Sequence, residues 1–254
     1  MNRIIWWIVG LLLLASVAVV GQDLSDAGLL TALDDARFFD DDVTQVRIRI
    51  VSETPDETRE ADLSLSFLET EDGSYARIEF ASPDDLAGQI FLSTPDATYF
   101  FGPDLDFPIK TSATQEVFGD AAVAQTSGIR FAESYTLGDR RTVVSDDGSE
   151  RWEIDLAAID YTVAFQAVTV TVDPDTLRAD SAILYAVSGL PFYEVFYEDY
   201  VSRDDTSDIY VATQRIVNLL LIGRVTTSEI LEIGSPVLPV EWFDPDQLAG
   251  GTAP

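Results

Sequence analysis

The sequence predicts a single α+β domain dominated by one large, curved antiparallel sheet. Three observations predict it: one helical pattern near the N-terminus, a change to alternating apolar and polar residues that continues towards the C-terminus, and Pro, Gly and Asp clusters between the alternating runs. No linker or shift in composition divides the chain, so we expect one domain over residues 22–254. A chain of 254 residues can bury a sizeable core.

The first residues are typical of an export signal. Arg3 precedes an apolar run over residues 4–20, and small residues such as Ala18 and Gly21 suit cleavage by a signal peptidase. We expect a cleaved signal peptide over residues 1–21. The alternative is an uncleaved N-terminal anchor, because the run is close to the shortest length that spans a membrane. Either interpretation predicts an exported protein that works in the periplasm.

The helical pattern covers residues 24–39, and the strand pattern follows it. Apolar residues recur at i, i+3, i+4 and i+7 from Leu29, with Asp23 or Ser25 available as the N-cap. Residues 111–137 are less regular and are expected to contain a short helix. Strands are predicted over residues 45–50, 62–67, 75–80, 152–156, 161–172, 182–187, 192–200, 209–217 and 219–233.

One predicted strand, residues 161–172, changes the face on which its apolar residues lie. Tyr161 and Phe165 share one parity, whereas Val168 and the valines that alternate after it have the other. A bulge or bend near Ala167 would return both sets to one face. The alternative is a strand that is apolar on both faces.

The charge and composition exclude several classes of function. There are 45 acidic and 15 basic residues, a net charge of −30, and this surface repels nucleic acid and anionic lipid headgroups. We interpret the charge as a means of solubility, with an acidic docking face for a basic partner as the alternative. The absence of Cys and His excludes Cys nucleophiles, Ser-His-Asp triads and zinc sites built from those residues.

No motif predicts catalysis or a cofactor. Acidic pairs such as Asp104 with Asp106 lack the spacing of a calcium-binding loop, so we expect no metal site. We expect a protein that is not an enzyme and that has no cofactor. A lipid hydrolase that uses carboxylate or Ser chemistry without His remains the enzymatic alternative.

Residues 80–110 are rich in aromatic and aliphatic side chains but contain no evident catalytic group. The candidate binding residues are Phe80, Ile90, Leu92, Tyr99 and Phe101. These side chains could line an apolar cavity or belong to an ordinary core between sheet and helix. The residues of opposite parity, at positions 91 and 100, are expected to be covered by a helix or loop.

Several short motifs, in order, resemble the outer-membrane lipoprotein-sorting family, the LolA/LolB-like carriers, and most closely a divergent branch of it. Pro83, Asp84 and Gly88 fall on that branch's turn, Tyr99 stands where Trp is usual, and Pro103 matches the end of the aromatic strand. The resemblance covers most of residues 22–248. The motifs are "VTQVRIRI", "SYARIEFASPDDLAGQIFLS", "ATYFFGPD", "VTVTVDPDTLRAD" and "LPVEWFDPDQL".

The resemblance implies a half-barrel sheet with an N-terminal helix and short helices over an apolar cavity. It implies a carrier that binds the acyl chains of lipids or lipoproteins and sorts lipoproteins to the outer membrane. A membrane protein would then act as donor or acceptor, and we expect a monomer. The alternative function is a sensor or accessory domain of the same fold that docks on a membrane transporter or another envelope partner, without free cargo.

The net charge predicts that stability depends on salt. Because like charges repel across the folded surface, salt should screen the repulsion, with a Debye length of about 10 Å at 0.1 M. We expect the midpoint of thermal unfolding to rise between low salt and roughly molar salt, in chloride and in sulfate alike. A midpoint that does not change with salt would contradict the prediction and show that the charges lie too far apart to interact.

Overall fold

A computed structural model describes residues 24–38, 44–122, 126, 128–202 and 209–248. The predicted signal peptide over residues 1–21, the alternative N-cap Asp23 and the C-terminal end of the predicted helix at Phe39 lie outside the described residues. None of the described helices is both long enough and apolar enough to span a membrane.

The described residues form one large antiparallel sheet of thirteen strands and a separate two-stranded hairpin. The predicted fold class is confirmed. The strands are β1 (Gln45–Glu53), β2 (Thr58–Thr70), β3 (Gly73–Ser82), β4 (Ile90–Ser93), β5 (Thr98–Phe101), β6 (Ile109–Thr111), β7 (Glu116–Phe118), β8 (Ala121–Ala122), β9 (Tyr135–Val144), β10 (Glu150–Ala158), β11 (Ala167–Val172), β12 (Ala179–Tyr185), β13 (Pro191–Ser202), β14 (Ile209–Asn218) and β15 (Val225–Gly234). The helices are α1 (Asp26–Asp35) and α2 (Phe131–Ser134).

The sheet consists of two meanders that one strand pair joins. The order is β6-β5-β4-β3-β2-β1-β15-β14-β13-β12-β11-β10-β9, and β7 and β8 form the separate hairpin. β1 pairs with β2 on one side and with β15 on the other, so the N-terminal meander continues directly into the C-terminal one. The outermost strands, β6 and β9, do not pair with each other, and the sheet is therefore not closed into a barrel.

Cross-strand partners define two faces of the sheet. Ile50 lies opposite Ala61, and Leu63 lies opposite Phe80, so these residues share the face that we call the inner face. They are almost completely buried, as the alternation of the sequence predicts for strands that are apolar on one face. The other face is called the outer face.

Helix α1 covers the half of the inner face that belongs to the C-terminal meander. It begins after Ser25, whose Oγ accepts a hydrogen bond from the Gly28 N–H, so Ser25 is the N-cap. Leu33 is fully buried and packs with Phe131 of α2 and with β10–β14, including Val170. We call this cluster the helix-side core.

The β7–β8 hairpin covers the other half of the inner face. Phe118 packs against Phe80 and the apolar residues of β1–β3 in a second cluster, which we call the hairpin-side core. Gly119, in the hairpin turn, has a positive φ of 57°, and a Cβ there would collide with the Ser52 and Thr226 side chains. Glycine therefore permits the close approach of the hairpin to the sheet.

A C-terminal segment over residues 238–248, which we call the strap, covers part of the outer face. It contains two 3₁₀ turns, Val240–Phe243 and Pro245–Gln247. Phe243 and Leu248 are each 2% exposed and pack against Ile90 and Leu92. The N-terminal meander is thus apolar and covered on both faces near β3–β5.

Two predicted strands begin later than the sequence suggested. Residues 159–166 form a loop, and β11 begins only at Ala167, so the change of parity marks the start of a strand and not a bulge within one. Tyr161 is exposed in this loop, while Phe165 points from it into the helix-side core. Likewise, residues 219–224 form the β14–β15 turn, and β15 begins at Val225.

We expect Asp34→Ala to lower the free energy of unfolding by about 3–5 kcal/mol, because it leaves the buried Arg37 without its carboxylate partner. Asp34 is 4% exposed, and its carboxylate accepts hydrogen bonds from Arg37 and from the N–H groups of Phe131 and Ala132. Urea unfolding measures the change. Asp35→Ala, at the neighbouring exposed position, is the control and should change stability by no more than about 0.5 kcal/mol. Equal effects of the two substitutions would contradict the assignment.

Candidate functional site

A cleft of about 1260 Å³ opens on the inner side of the sheet between the two cores. One wall comes from the β2–β3 and β4–β5 turns and from β6. The opposite wall comes from the segment that enters α2, residues 128–135, and from the loop over residues 159–164. The cleft is larger than most pockets for small molecules.

Both cores contribute apolar side chains to this cleft. Phe67 is partly buried against the hairpin-side core, and its cross-strand partner Ala76 also lines the cleft. Ile129, Val163 and Ala164 are partly buried against the helix-side core and face the same space. The two cores therefore separate here and leave apolar surface in an open space.

Tyr135 also lines the cleft, and its hydroxyl stays protonated. Burial raises its pKa well above the ordinary value, Tyr197 adds to the effect, and the Arg37 charge opposes it. Its hydroxyl donates a hydrogen bond to the Phe165 carbonyl oxygen at 3.0 Å. This bond attaches the 159–166 loop to Tyr135, the first residue of β9, and so fixes the position of the apolar wall.

The rim of the cleft is polar and predominantly acidic. Its carboxylates belong to Glu69, Glu71, Asp72, Asp96, Glu133 and Asp160, and its cations belong to Lys110 and Arg130. An anionic ligand group would meet repulsion at this rim, whereas a neutral or cationic group would not. Within the described part of the chain, no cluster of three or more acidic side chains is arranged to hold a metal ion.

Four polar side chains form two bridges from one wall of the cleft to the other. Arg130 Nη2 lies 3.4 Å from Glu69 Oε1, and the Ser74 hydroxyl oxygen lies 3.0 Å from Glu133 Oε1 and 2.7 Å from Glu69 Oε2. The Arg130 and Glu69 side chains are 34% and 42% exposed. Exposed ion pairs of this kind contribute at most about 1 kcal/mol, so these bridges can open at little energetic cost.

Arg37 fastens the helices beside the cleft to the sheet. Its guanidinium lies 3.8 Å from the centre of the Phe131 ring and donates hydrogen bonds to Asp34 and to the Ile129 carbonyl oxygen. It also donates to the Tyr197 hydroxyl of β13 at 3.3 Å. Because Asp34 binds the first N–H groups of α2, α1 and α2 form one unit, and Arg37 connects that unit to the sheet.

The five residues predicted to bind lipid lie on two different faces. Phe80 is on the inner face, 2% exposed, beneath Phe118. Ile90, Leu92, Tyr99 and Phe101 belong to the cluster beneath the strap on the outer face. None of the five is among the residues that line the cleft, and lipid contact by them stays a prediction.

The register between β3 and β4 explains this division. Ile90 pairs with Glu79 and Phe91 pairs with Ile78, so Phe91 shares the inner face with Phe80. Phe100 pairs with Phe91 and joins the hairpin-side core. Phe80 and Ile90, which are predicted to line one cavity, lie on opposite faces, because the turn over residues 83–89 changes the alternation between the two strands.

Sequence analysis missed the far wall of the cleft. Residues 128–135 fall in the segment that is predicted to be irregular with a short helix, and residues 161–164 fall in the predicted strand over residues 161–172. The signal that could have identified the second segment is the change of parity at Ala167, since a loop also interrupts an alternating pattern.

The family of the chain follows from a match over most of its length. Residues 72–249 match the model of a protein family described as "Uncharacterized protein". The chain belongs to this family. The comparison with curated proteins gives no match.

Comparison with solved structures shows the fold of this chain. A LolA superfamily protein from Nitrosomonas europaea is 22% identical, with a TM-score of 0.78 over 88% of this chain and 99% of that one. A protein from Vibrio parahaemolyticus, described as an outer membrane lipoprotein-sorting protein domain, is 15% identical, with a TM-score of 0.74 over 88% and 98% of the two chains. A DUF1329 family protein from Desulfovibrio piger is 16% identical, with a TM-score of 0.70 over 88% and 97%. The chain therefore has a divergent LolA-like fold, as the sequence motifs predicted.

In this LolA-like fold, we expect Leu92 to act as a structural residue beneath the strap. Leu92→Ala should lower the free energy of unfolding by about 2–5 kcal/mol, because it leaves a cavity at a fully buried position. Urea unfolding measures the change. Leu231→Ala, on β15 and 38% exposed, is the matched control and should lower stability by less than about 1 kcal/mol. A small effect of Leu92→Ala would mean that the strap does not pack on it.

Proposed function

We propose that the protein is an exported carrier that holds the acyl chains of lipids or lipoproteins in the cleft, and that it takes part in sorting lipoproteins to the outer membrane. The observation that carries the proposal is the open cleft of about 1260 Å³ between two apolar cores. The LolA-like fold supports the same interpretation. The proposed role is not enzymatic.

Binding of acyl chains requires apolar surface and no catalytic group. Each methylene that leaves water contributes about 0.8 kcal/mol, so a single long chain supplies useful affinity. Phe67 on one wall and Val163 on the other offer apolar contacts to such a chain. The ligand would be held by burial alone and could be passed on without breaking a covalent bond.

The cleft can widen by moving its weakest contacts first. The bridges of Arg130 with Glu69 and of Ser74 with Glu133 would open when a chain enters, because both are exposed to water. Larger widening would require the α1–α2 unit to leave the sheet, which breaks the hydrogen bond from Arg37 to Tyr197. Arg37 would then keep Asp34 as its partner, and no buried charge would be left alone.

The acidic rim restricts the group attached to the acyl chain. With six carboxylates and two cations around the opening, a neutral or positively charged head group is favoured over an anionic one. The preference should be strongest at low salt, since the rim charges are exposed and salt screens them. We therefore propose that the cargo is a molecule whose acyl chains are attached to a neutral or cationic head group.

The five residues predicted from the sequence fit this proposal only if a cover moves. A chain could reach Phe80 after Phe118 leaves it, and it could reach Ile90, Leu92, Tyr99 and Phe101 after the strap leaves the outer face. The cleft requires neither movement, and it is therefore the first place at which we propose acyl binding.

We expect Ala164→Trp to weaken binding of a fluorescent neutral monoacylglycerol at least about tenfold, because the indole fills space that the chain would occupy. Ala164 lies in the 159–166 loop and is only partly buried, so the thermal midpoint should change little. The control is Ala157→Trp, which adds the same ring at an exposed position of β10 and should bind as the wild type does. Fluorescence titration gives the affinities.

Absence of acyl binding by the wild-type protein would contradict the proposal. Equal binding by Ala164→Trp and the wild type would place the ligand outside the cleft. If the protein instead purifies with a stoichiometric membrane protein and without lipid, the sensor or accessory function is the better interpretation. Turnover of a lipid ester would contradict the non-enzymatic role.

A further inference from the structure

The β14–β15 turn exposes four consecutive large aliphatic side chains. We call residues 219–222 the aliphatic tip; its members are Leu219, Leu220, Leu221 and Ile222, and Ile222 is 92% exposed. No charged residue lies within residues 219–223. A cluster of this kind is unusual on a chain with a net charge of −30, and large exposed apolar clusters mark interaction sites.

A second uncharged turn lies beside the aliphatic tip. The β12–β13 turn, residues 186–190, exposes Val187 and Leu190. The Leu219 N–H donates a hydrogen bond to the Phe192 carbonyl oxygen at 2.9 Å, so the two turns emerge from the same end of the sheet. Together they form one apolar projection.

The backbone of the aliphatic tip already has hydrogen-bond partners within the protein. The Asn218 side-chain oxygen accepts from the N–H groups of Leu220 and Leu221, at 3.0 and 2.8 Å. The Leu221 carbonyl oxygen accepts from the Arg224 N–H. Pairing of polar backbone groups within the protein lowers the cost of bringing a segment close to hydrocarbon, and three N–H groups and one carbonyl oxygen of the aliphatic tip are paired in this way.

A buried carboxylate fixes the base of the aliphatic tip. Asp120, fully buried in the β7–β8 turn, accepts a hydrogen bond from Asn218 Nδ2 at 2.6 Å and pairs with Arg224 Nε at 3.0 Å. Asn218, directly before the aliphatic tip, and Arg224, two residues after it, are thus held to the body of the protein. The exposed aliphatic side chains therefore have a built support and are not the product of a loose loop.

We infer that the aliphatic tip inserts into the surface of a lipid bilayer with little net charge. Four consecutive residues in a tight turn project in different directions, so they cannot all lie on one flat protein surface. Fluid hydrocarbon surrounds such a projection on every side, and it removes more apolar surface from water than a rigid partner does. The inference does not depend on cargo binding by the cleft.

The surrounding charges select the kind of bilayer. Asp56 and Glu57 lie exposed in the β1–β2 turn, whose Pro55 lies next to Gly223 at the end of the aliphatic tip. An anionic membrane would repel these carboxylates and the whole acidic chain. The partner is therefore a zwitterionic surface such as phosphatidylcholine or phosphatidylethanolamine.

The test measures binding of the full-length mature protein to phosphatidylcholine vesicles by co-sedimentation. The double variant Leu220→Asp with Ile222→Asp should bind at least about tenfold more weakly, since two aliphatic groups would be replaced by charges. Val237→Asp is the control, because Val237 is 99% exposed outside both turns and should not affect binding. Adding phosphatidylglycerol to the vesicles should weaken wild-type binding at low salt.

A second measurement reports directly on insertion. The chain has no Cys, so Ile222→Cys and Val237→Cys can each be labelled with a single environment-sensitive fluorophore. When vesicles are added, the emission maximum of the label at position 222 should shift to shorter wavelength, and that of the label at position 237 should not change. No vesicle binding by the wild type, equal binding by the double variant, or a requirement for anionic lipid would overturn the inference.

Two further outcomes separate this inference from other interpretations. A wild-type dimer in solution that becomes a monomer in Ile222→Asp would identify the aliphatic tip as a contact between copies and would overturn membrane insertion. Acyl binding in the cleft is expected to be the same in Ile222→Asp and the wild type. A failure of vesicle binding with intact acyl binding would thus overturn only the membrane inference.

Discussion

The pairing of β1 with β15 is the interaction on which the remaining structure depends. It joins an N-terminal and a C-terminal meander into one sheet whose edges, β6 and β9, stay apart. A sheet of this width twists and curls, so its inner face becomes a concave surface. That surface is apolar along both meanders and requires covers, and the chain supplies two separate ones, α1 with α2 and the β7–β8 hairpin. The cleft lies at an end of the sheet where these two covers do not meet.

A buried acidic residue holds each cover in position. Asp34 unites α1 with α2 and holds Arg37 against the sheet, while Asp120 ties the β7–β8 hairpin to Asn218 and Arg224. Buried charges contribute little net stability, but they are strongly unfavourable when unpaired, so each cover has one arrangement in which all its partners are satisfied. The same interactions therefore define the walls of the cleft on one side and the base of the aliphatic tip on the other.

The alternation of apolar residues made the sheet predictable, and the N-cap of α1 at Ser25 was among the two candidates that the sequence offered. The site was less predictable, because parity cannot be followed through a turn of unknown geometry. For that reason, the sequence alone does not reveal that Ile90 faces away from Phe80. Apolar runs favour strands, and the sequence therefore predicts a strand that includes the aliphatic tip. The turn arises instead from Asn218, whose side-chain oxygen accepts from the N–H groups of Leu220 and Leu221, and from Gly223 at a φ of 84°.

The aromatic stretch over residues 90–101 has a structural explanation that needs no ligand. Strands that pack against other elements on both faces have nearly continuous apolar sequences, and β4 and β5 are of this kind, with β5 partly buried. The Phe91 and Phe100 rings lie 4.9 Å apart on the inner face, with their planes tilted by 44°, whereas Leu92 packs with Phe243 on the outer face. The high density of aromatic residues in this stretch therefore reflects packing on both faces of β4 and β5. Space for a ligand arises instead where apolar side chains are dispersed among polar ones, as Phe67 and Val163 are in the wall of the cleft, because only incomplete packing leaves room for a chain to enter.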